Sequence, residues 1–484
     1  MMSQHQSQRL SGEALETFSP NAQRRLDVSR LQGRVVDQSD EVAIDGWLGA
    51  MERGFLDALP PTLRMRRELR STLVGSRVVG VYDGAADGFG DRIEQGDAAP
   101  VAETTDEEAA HRAIPASPAG TAQGWPTDLT LVGGASVDAW AISAVTVAGT
   151  HRRRGIARAM IADQLDAAVA SGASAAVLTA TEGGIYGRFG FGPATRSTTL
   201  RFDPRLASWR DDAGGEVTVR LVAPQTLRAE APQVFDRARA AGDIGRRDVW
   251  WQQALRVFSL RLFNHGDSGT TLALRADSTA SGRLEGFALY RVFGGEEHGR
   301  LVVDEVCAAT PAAEAALWRR LLSTDLVGEV TARSRPVDGL LPWLLTDPRA
   351  VSPQQTSDSL WVRVLDVCAV LSARSWPRSP AGTRLRLRVG DSSGYADGDY
   401  LLRVDEQGVG SAERLAVAAA TDASDVTLEL DVADLGSLLF GYTSAGILAA
   451  AGRVQGVGED QENALALADD LLATAPAPHL RTPF

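Results

Sequence analysis

The sequence predicts a mixed α/β (α+β) protein in which two similarly ordered units precede a third, smaller one. Three observations carry that prediction. A strand–turn–helix–strand succession occupies 139–180, where β-branched residues give way to apolar residues spaced at three and four. The same order of elements returns between 216 and 322. Strict alternation at 384–389 and 425–431 then marks half-buried strands with one polar face turned out.

Taken in order, residues 1–29 read as a polar tail. The first unit, 30–205, opens with a helix near 45–55 that carries Trp47 and Phe55, followed by a strand at 77–82. The acidic, Ala/Pro/Gly-rich insertion at 84–125 has no apolar period and should be a mobile loop. Strands at 128–133 and 138–147 resume the sheet. A helix at 156–169 and a strand at 175–180 follow, and the unit ends near Asp203 and Pro204. The second unit, 215–355, has strands at 216–221, 270–275, 284–292 and 300–307, with helices near 225–241 and at 311–322. The third unit, 358–484, places strands at 384–389, 400–404 and 425–431 beside helices at 431–440 and 444–452.

Composition narrows the function classes. The 484 residues suffice for two to four domains, and 44% apolar with 23% charged residues is ordinary for a soluble globular chain. The net charge of −13 argues against nucleic acid and favours a small cationic partner. Every basic residue other than histidine is arginine. Cys307 and Cys368 stand alone, and the six histidines are scattered, so neither a disulfide framework nor a metal site is expected. The polar start and the lack of an apolar run near 18 residues predict a cytoplasmic protein without a signal peptide or membrane span.

The chemistry is concentrated in Val145-Thr-Val-Ala-Gly-Thr-His-Arg-Arg-Arg-Gly-Ile-Ala-Arg158. A strand that turns through glycine into a helix offers unpaired N–H groups and a positive dipole end. With arginines added, its expected guest is a phosphate. Neither a Walker A loop nor a Gly-x-Gly-x-x-Gly turn is present. Taken alone, the turn also reads as an arginine-rich helix start on a solvated surface.

Arg152-Arg-Arg-Gly155-Ile-Ala157 after a strand resembles the pyrophosphate loop of the GCN5-related acetyltransferases, which bind acetyl-coenzyme A. Glu182-Gly-Gly-Ile-Tyr-Gly-Arg-Phe-Gly190 extends the likeness. With both strings in place, the chain resembles the enhanced-intracellular-survival (Eis) N-acetyltransferases. The match continues through Leu341-Pro-Trp-Leu-Leu-Thr-Asp347, Leu360-Trp-Val-Arg-Val364, Leu435-Gly-Ser-Leu438 and the C-terminal Phe484, and is poorest over the first forty residues and 84–125. The resemblance implies tandem acetyltransferase domains, the second degenerate because no arginine–glycine turn lies between Val306 and Ala312, and then a sterol-carrier-protein-like domain. An unrelated α/β domain is the other reading of the second unit.

Acetyl transfer to an amine needs the coenzyme held, the thioester oxyanion met by a donor, a proton removed from the amine and a proton returned to the thiolate. Coenzyme contacts are expected at Val145, Thr146, Val147, Arg153, Arg154, Gly155, Ile156, Ala157, Arg158, Thr181 and Glu182, with acetyl-CoA as co-substrate and no metal. In this class of enzyme the strand at 145–147 splays from its neighbour, freeing backbone groups for the pantetheine arm. The resemblance makes the terminal carboxylate of Phe484 the base and Tyr186 the acid, carried by a stiff, proline-rich tail. It also implies aminoglycoside-type acceptors acetylated at several amines, and a homohexamer. Trp47, Phe55 and Asp57 are the candidate lining of the acceptor pocket. Two further readings stand beside this one: a protein or peptide lysine acetyltransferase, and a non-catalytic acyl-CoA or lipid binding protein.

Overall fold

The computed structural model describes residues 13–26, 30–55, 63–84, 117–206, 208–210, 216–255, 270–295, 298–378, 383–416, 426–458 and 461–484. They fall into two units: Met1–Asp128 with Asp138–Leu178, and Leu129–Val137 with Thr179–Phe484.

The first unit is built on strands β1 (Leu31–Val35), β2 (Arg77–Asp83), β3 (Gly120–Thr130), β4 (Ser136–Val147) and β5 (Ala175–Thr179), adjacent in that order. The pairs β1/β2 and β2/β3 are antiparallel, whereas β4/β5 is parallel. Helices α1 (Glu41–Gly54) and α2 (Leu63–Leu73) precede β2, and α3 (Ile156–Ala170) makes the crossover that a parallel pair requires. Leu31, Val79, Val81, Ala122, Ile156 and Met160 form the core under α3.

Three sequence expectations are corrected in this unit. Residues 85–116 of the expected loop lie outside the described residues, but 120–125 is the start of β3 rather than loop. The glycines that make this stretch look irregular are sites of close approach. A Cβ on Gly120 would meet Ile156 Cγ2 at 2.4 Å, and one on Gly124 would meet Gln164 Oε1 at 2.1 Å, so glycine lets α3 lie flat on the sheet. The described part of the tail is not free either. Single helical turns at Glu13–Glu16 and Pro20–Gln23 dock against α3: buried Asp163 accepts from the Ser19 N–H at 2.7 Å and pairs with Arg77, which also donates to the carbonyls of Leu15 and Thr17. Trp47 is fully buried with its indole N–H on the Val79 carbonyl at 2.7 Å, so it is a core residue rather than an exposed pocket wall. Phe55 is 41% exposed, and Asp57 lies outside the described residues.

The second unit contains β6 (Gly192–Pro193), β7 (Arg196–Phe202), β8 (Val217–Val222), β9 (Thr271–Ser278), β10 (Leu284–Phe293), β11 (Gly299–Ala308), β12 (Val327–Arg335), β13 (Val351–Asp358) and β14 (Leu360–Val364). A seven-stranded sheet runs β13-β7-β12-β11-β10-β9-β8, its one parallel pair, β11/β12, joined by a helix over Pro311–Leu322. Alternation along β10 feeds two cores. Phe287 and Leu289 pack with Phe235 and Trp251 on one face, and Ala288 and Tyr290 with Phe202 and Trp318 on the other. Strand pairing crosses the boundaries expected from sequence: β7, assigned to the first domain, lies between β12 and β13, and β14, assigned to the third, pairs with β6.

A five-stranded sheet follows, ordered β17 (Gly410–Arg414), β16 (Gly398–Val404), β15 (Thr383–Gly390), β18 (Val426–Asp431) and β19 (Val454–Val457). Leu385, Leu387 and Val389 are buried, as alternation predicts. Arg386, expected on the solvated face, is buried too and paired with Asp399. Alternation reports which residues share a face, not whether the second face is covered.

Candidate active site

Strand β4 carries the first component. Its pairing with β5 runs from Ala139↔Ala175 to Ile142↔Leu178. Ala144 then takes φ 54, a left-handed value costly for a residue with a Cβ, and its carbonyl accepts from Thr121 Oγ1 at 2.8 Å. Val145, Thr146 and Val147 follow directly on this irregular residue. Toward β3 the strand stays tied: the Thr121 and Thr146 hydroxyls are 2.6 Å apart, and the Ala148 N–H reaches the Ala119 carbonyl at 2.8 Å. Helix α1 ends against this strand, where a Cβ on Gly54 would sit 2.4 Å from Thr146 Cβ.

After β4 a short turn at Gly149–His151 leads to Arg152–Gly155 and into α3. Arg153 (φ 63) and Gly155 (φ 77) are both left-handed, and Gly155 is the N-cap. Alternating backbone of this kind folds successive N–H groups into a concavity that suits an anion, at the positive end of a fifteen-residue helix. Ile156 is buried and anchors the turn, Arg152, Arg153 and Arg158 are exposed, and Arg154, Gly155 and Ala157 are half-buried. Arg154 Nη1 lies 3.7 Å from the buried carboxylate of Asp83, which also meets Arg30 at 3.1 Å and His151 Nε2 at 3.3 Å.

Tyr186 and Phe484 both belong to the second unit. Tyr186 closes a helical turn over Gly183–Tyr186 whose N-cap is Glu182, with Thr181 and Glu182 exposed. The Tyr186 side chain is buried and packs edge-on against Phe191 at 6.3 Å. Burial, and next the charge of Glu182, push its phenol above the ordinary tyrosine range. The chain end is held rather than frayed. Phe484 is 5% exposed, and one of its terminal oxygens accepts from Thr179 Oγ1, a residue of the same unit, at 2.6 Å. Sequence reasoning missed Thr179, Asp83 and the residues that grip the tail, Asp243 and Arg246. No local pattern marks such contacts: those of Asp83 span more than fifty positions, and those that grip the tail more than two hundred.

Family models for the acetyltransferase (GNAT) domain match residues 118–194 and 242–364, and one for the sterol carrier protein domain matches 367–481. The class is therefore that of a GCN5-related acetyltransferase with two such domains and a carrier-like third. An uncharacterized N-acetyltransferase from Streptomyces avermitilis is 36% identical over 446 residues, covering 89% of this chain and 94% of that protein. The N-acetyltransferase Eis of Mycobacterium tuberculosis is 36% identical over 333 residues, covering 68% and 77%. The crystal structure of Eis1 from Mycobacterium abscessus superposes with a TM-score of 0.71 at 26% identity, over 94% of this chain and all of that one. The chain belongs to the Eis family of N-acetyltransferases.

Proposed function

We propose that the protein transfers the acetyl group of acetyl-CoA to amines of small cationic, aminoglycoside-type acceptors. The single observation that carries the mechanism is the seated chain end, a Phe484 carboxylate oxygen 2.6 Å from Thr179 Oγ1. The Arg153 and Arg154 side chains and the backbone N–H groups from Gly155 to Arg158 hold the pyrophosphate. Backbone groups of β4 from Val145 to Val147 take the pantetheine arm and meet the thioester oxygen, and Thr181 and Glu182 complete the coenzyme contacts.

An ammonium of pKa about 10 leaves roughly one amine in a thousand neutral at pH 7. In the reaction the amine nitrogen bonds to the acetyl carbon, the carbon–sulfur bond breaks, and the surplus proton on nitrogen passes to the Phe484 carboxylate. The thiolate takes a proton from Tyr186, and exchange with water then removes the proton from Phe484 and restores the one on Tyr186. Because burial makes that phenol a weaker acid than usual, its contribution is a positioned hydrogen bond rather than ready ionisation.

The net charge of −13 supports a polycationic acceptor over a neutral or anionic one. The test is release of coenzyme A over a panel of aminoglycosides, polyamines and lysine peptides. Turnover confined to the peptides would move the assignment to a protein acetyltransferase. Coenzyme binding without turnover on any amine would leave an acyl-CoA binding protein. The base is tested by adding one glycine after Phe484, which leaves every side chain in place and moves only the charge. Activity should fall by roughly 10²-fold or more, and full activity would remove the terminal carboxylate from the mechanism. Assembly as a homohexamer and residence in the cytoplasm belong to the same reading; sedimentation giving a smaller particle would overturn the first.

A further inference from the structure

We propose that the acetyltransferase-like segment at 242–364, which carries no arginine–glycine turn, serves as the seat of the chain's own last eight residues. Thr179, Asp243 and Arg246 are then positioning residues for the Phe484 carboxylate. The inference rests on the reading of that carboxylate as the base.

From His479 to Phe484 the tail is held by polar, directional contacts, most of them partly buried. The His479 N–H donates to the Ala241 carbonyl at 2.8 Å. Asp243, fully buried, accepts from the Arg481 backbone N–H at 2.8 Å and pairs with the Arg481 guanidinium. Arg246 donates to Thr482 Oγ1 at 2.9 Å and is held by a two-pronged pair with Glu305 at 2.9 and 3.1 Å. Its guanidinium lies over the rings of Trp251 and Phe235 at 4.3 and 4.8 Å, so it cannot swing away without losing both. Thr179 completes the series at the terminal oxygen.

The receiving loop is itself fixed. The Thr130 N–H donates to the Asp243 carbonyl, and the Gly242 N–H to the Thr130 carbonyl, each at 2.9 Å. Gly242 has φ +90, and a Cβ there would stand 2.5 Å from Thr195 Cγ2 and 3.2 Å from the His479 backbone. Only glycine lets the tail lie against the loop. Apolar cover is present as well, since Leu480 and Phe484 are buried, but packing alone needs no polar partners aimed at the tail. This tail has a carboxylate on Arg481, a guanidinium on Thr482 and a hydroxyl on Phe484. Holding a reacting group within a few tenths of an ångström is what preorganised catalysis requires.

The experiment uses Thr179→Val, Thr179→Ser and Asp243→Asn in the full-length protein, beside the glycine-extended chain. Thr179→Val removes one hydrogen bond to a charged group, so kcat should fall about 10-fold or more. The KM for acetyl-CoA and the melting temperature should hold, and the acid limb of the pH–rate profile should move to higher pH. Thr179→Ser should restore both rate and profile. Asp243→Asn should lower kcat in the same way, and the isosteric Thr179→Val keeps the test intact where Asp243→Asn fails to fold. Wild-type kcat and an unmoved acid limb in Thr179→Val overturn the seat. If the glycine-extended chain is inactive in that case, the base survives and only the seat falls. If the glycine-extended chain is fully active, the reading of the base falls first.

Discussion

Arg154 is where the proposed coenzyme site yields a worked number. Its guanidinium is about one-third exposed and stands 3.7 Å from Asp83. A half-solvated pair of this kind is worth about 1 kcal/mol. A charge-assisted bond to a phosphate is worth about 1.5–3 kcal/mol. Binding the pyrophosphate exchanges part of the first for the second, so Arg154→Gln should weaken coenzyme A binding by about 0.5–2 kcal/mol, or ~2- to 30-fold in Kd. In an Asp83→Asn background, where Arg154 has no carboxylate to leave, the same substitution should cost the full ~10- to 150-fold. Asp83→Asn alone should tighten binding several-fold, because a buried negative charge beside the phosphate site is gone. Titration calorimetry of the four proteins in the cycle measures all three values. An unchanged Kd for Arg154→Gln in both backgrounds would refute the pyrophosphate assignment and return the turn to a solvated helix start.

Two further predictions concern the second unit. Tyr186→Phe keeps the ring against Phe191 and deletes the proton; turnover should fall roughly 10²-fold while coenzyme affinity is retained, and wild-type turnover would make Tyr186 a packing residue. His479 sets a pH dependence. Burial first, then the charges of Arg335 and Arg481, push its imidazole down to about 3, with the Arg196 and Ser334 backbones as its other neighbours. The unfolded chain takes up this proton near pH 6.5 and the folded chain does not. Stability is therefore fully present above about 6.5 and is lost as pH falls toward about 3, at up to ~1.4 kcal/mol per pH unit. Denaturant titrations across that window should show the slope in the wild type and a shallower one in His479→Gln; equal slopes would rule His479 out as the source.

How much of this was legible depends on the range over which each feature is encoded. The passage from β4 through Gly155 into α3 shows in the chain because periodicity, a turn glycine and cap geometry are local. The order of elements in the second acetyltransferase-like domain shows for the same reason. β3 was hidden because Gly120, Gly124 and Pro126 read as loop, whereas two of them answer to a helix contributed forty residues later. Trp47 had the composition of a pocket residue and the environment of a core one. The left-handed backbone at Ala144 leaves no trace in residue type, since nothing about alanine announces it. The grip of Asp243 on Arg481 joins positions 238 apart, beyond any pattern a window can hold.

The placement of β7 bears on how this chain is made. Its last residue, Phe202, is aligned with Val330 on one side and Val351 on the other. At the usual pace of synthesis, about 5–20 residues per second, the second partner emerges roughly 7–30 s after the strand itself. Until β12 emerges both edges of β7 carry unsatisfied ladder groups, and one edge stays open until β13 follows, the situation in which nascent chains pair wrongly or recruit chaperones. A fragment cut near residue 205 would make the interval permanent. It would carry β7 away from its sheet and leave β12 and β13 with a gap between them. The ribosome must therefore deliver well over two-thirds of the chain before that sheet can close.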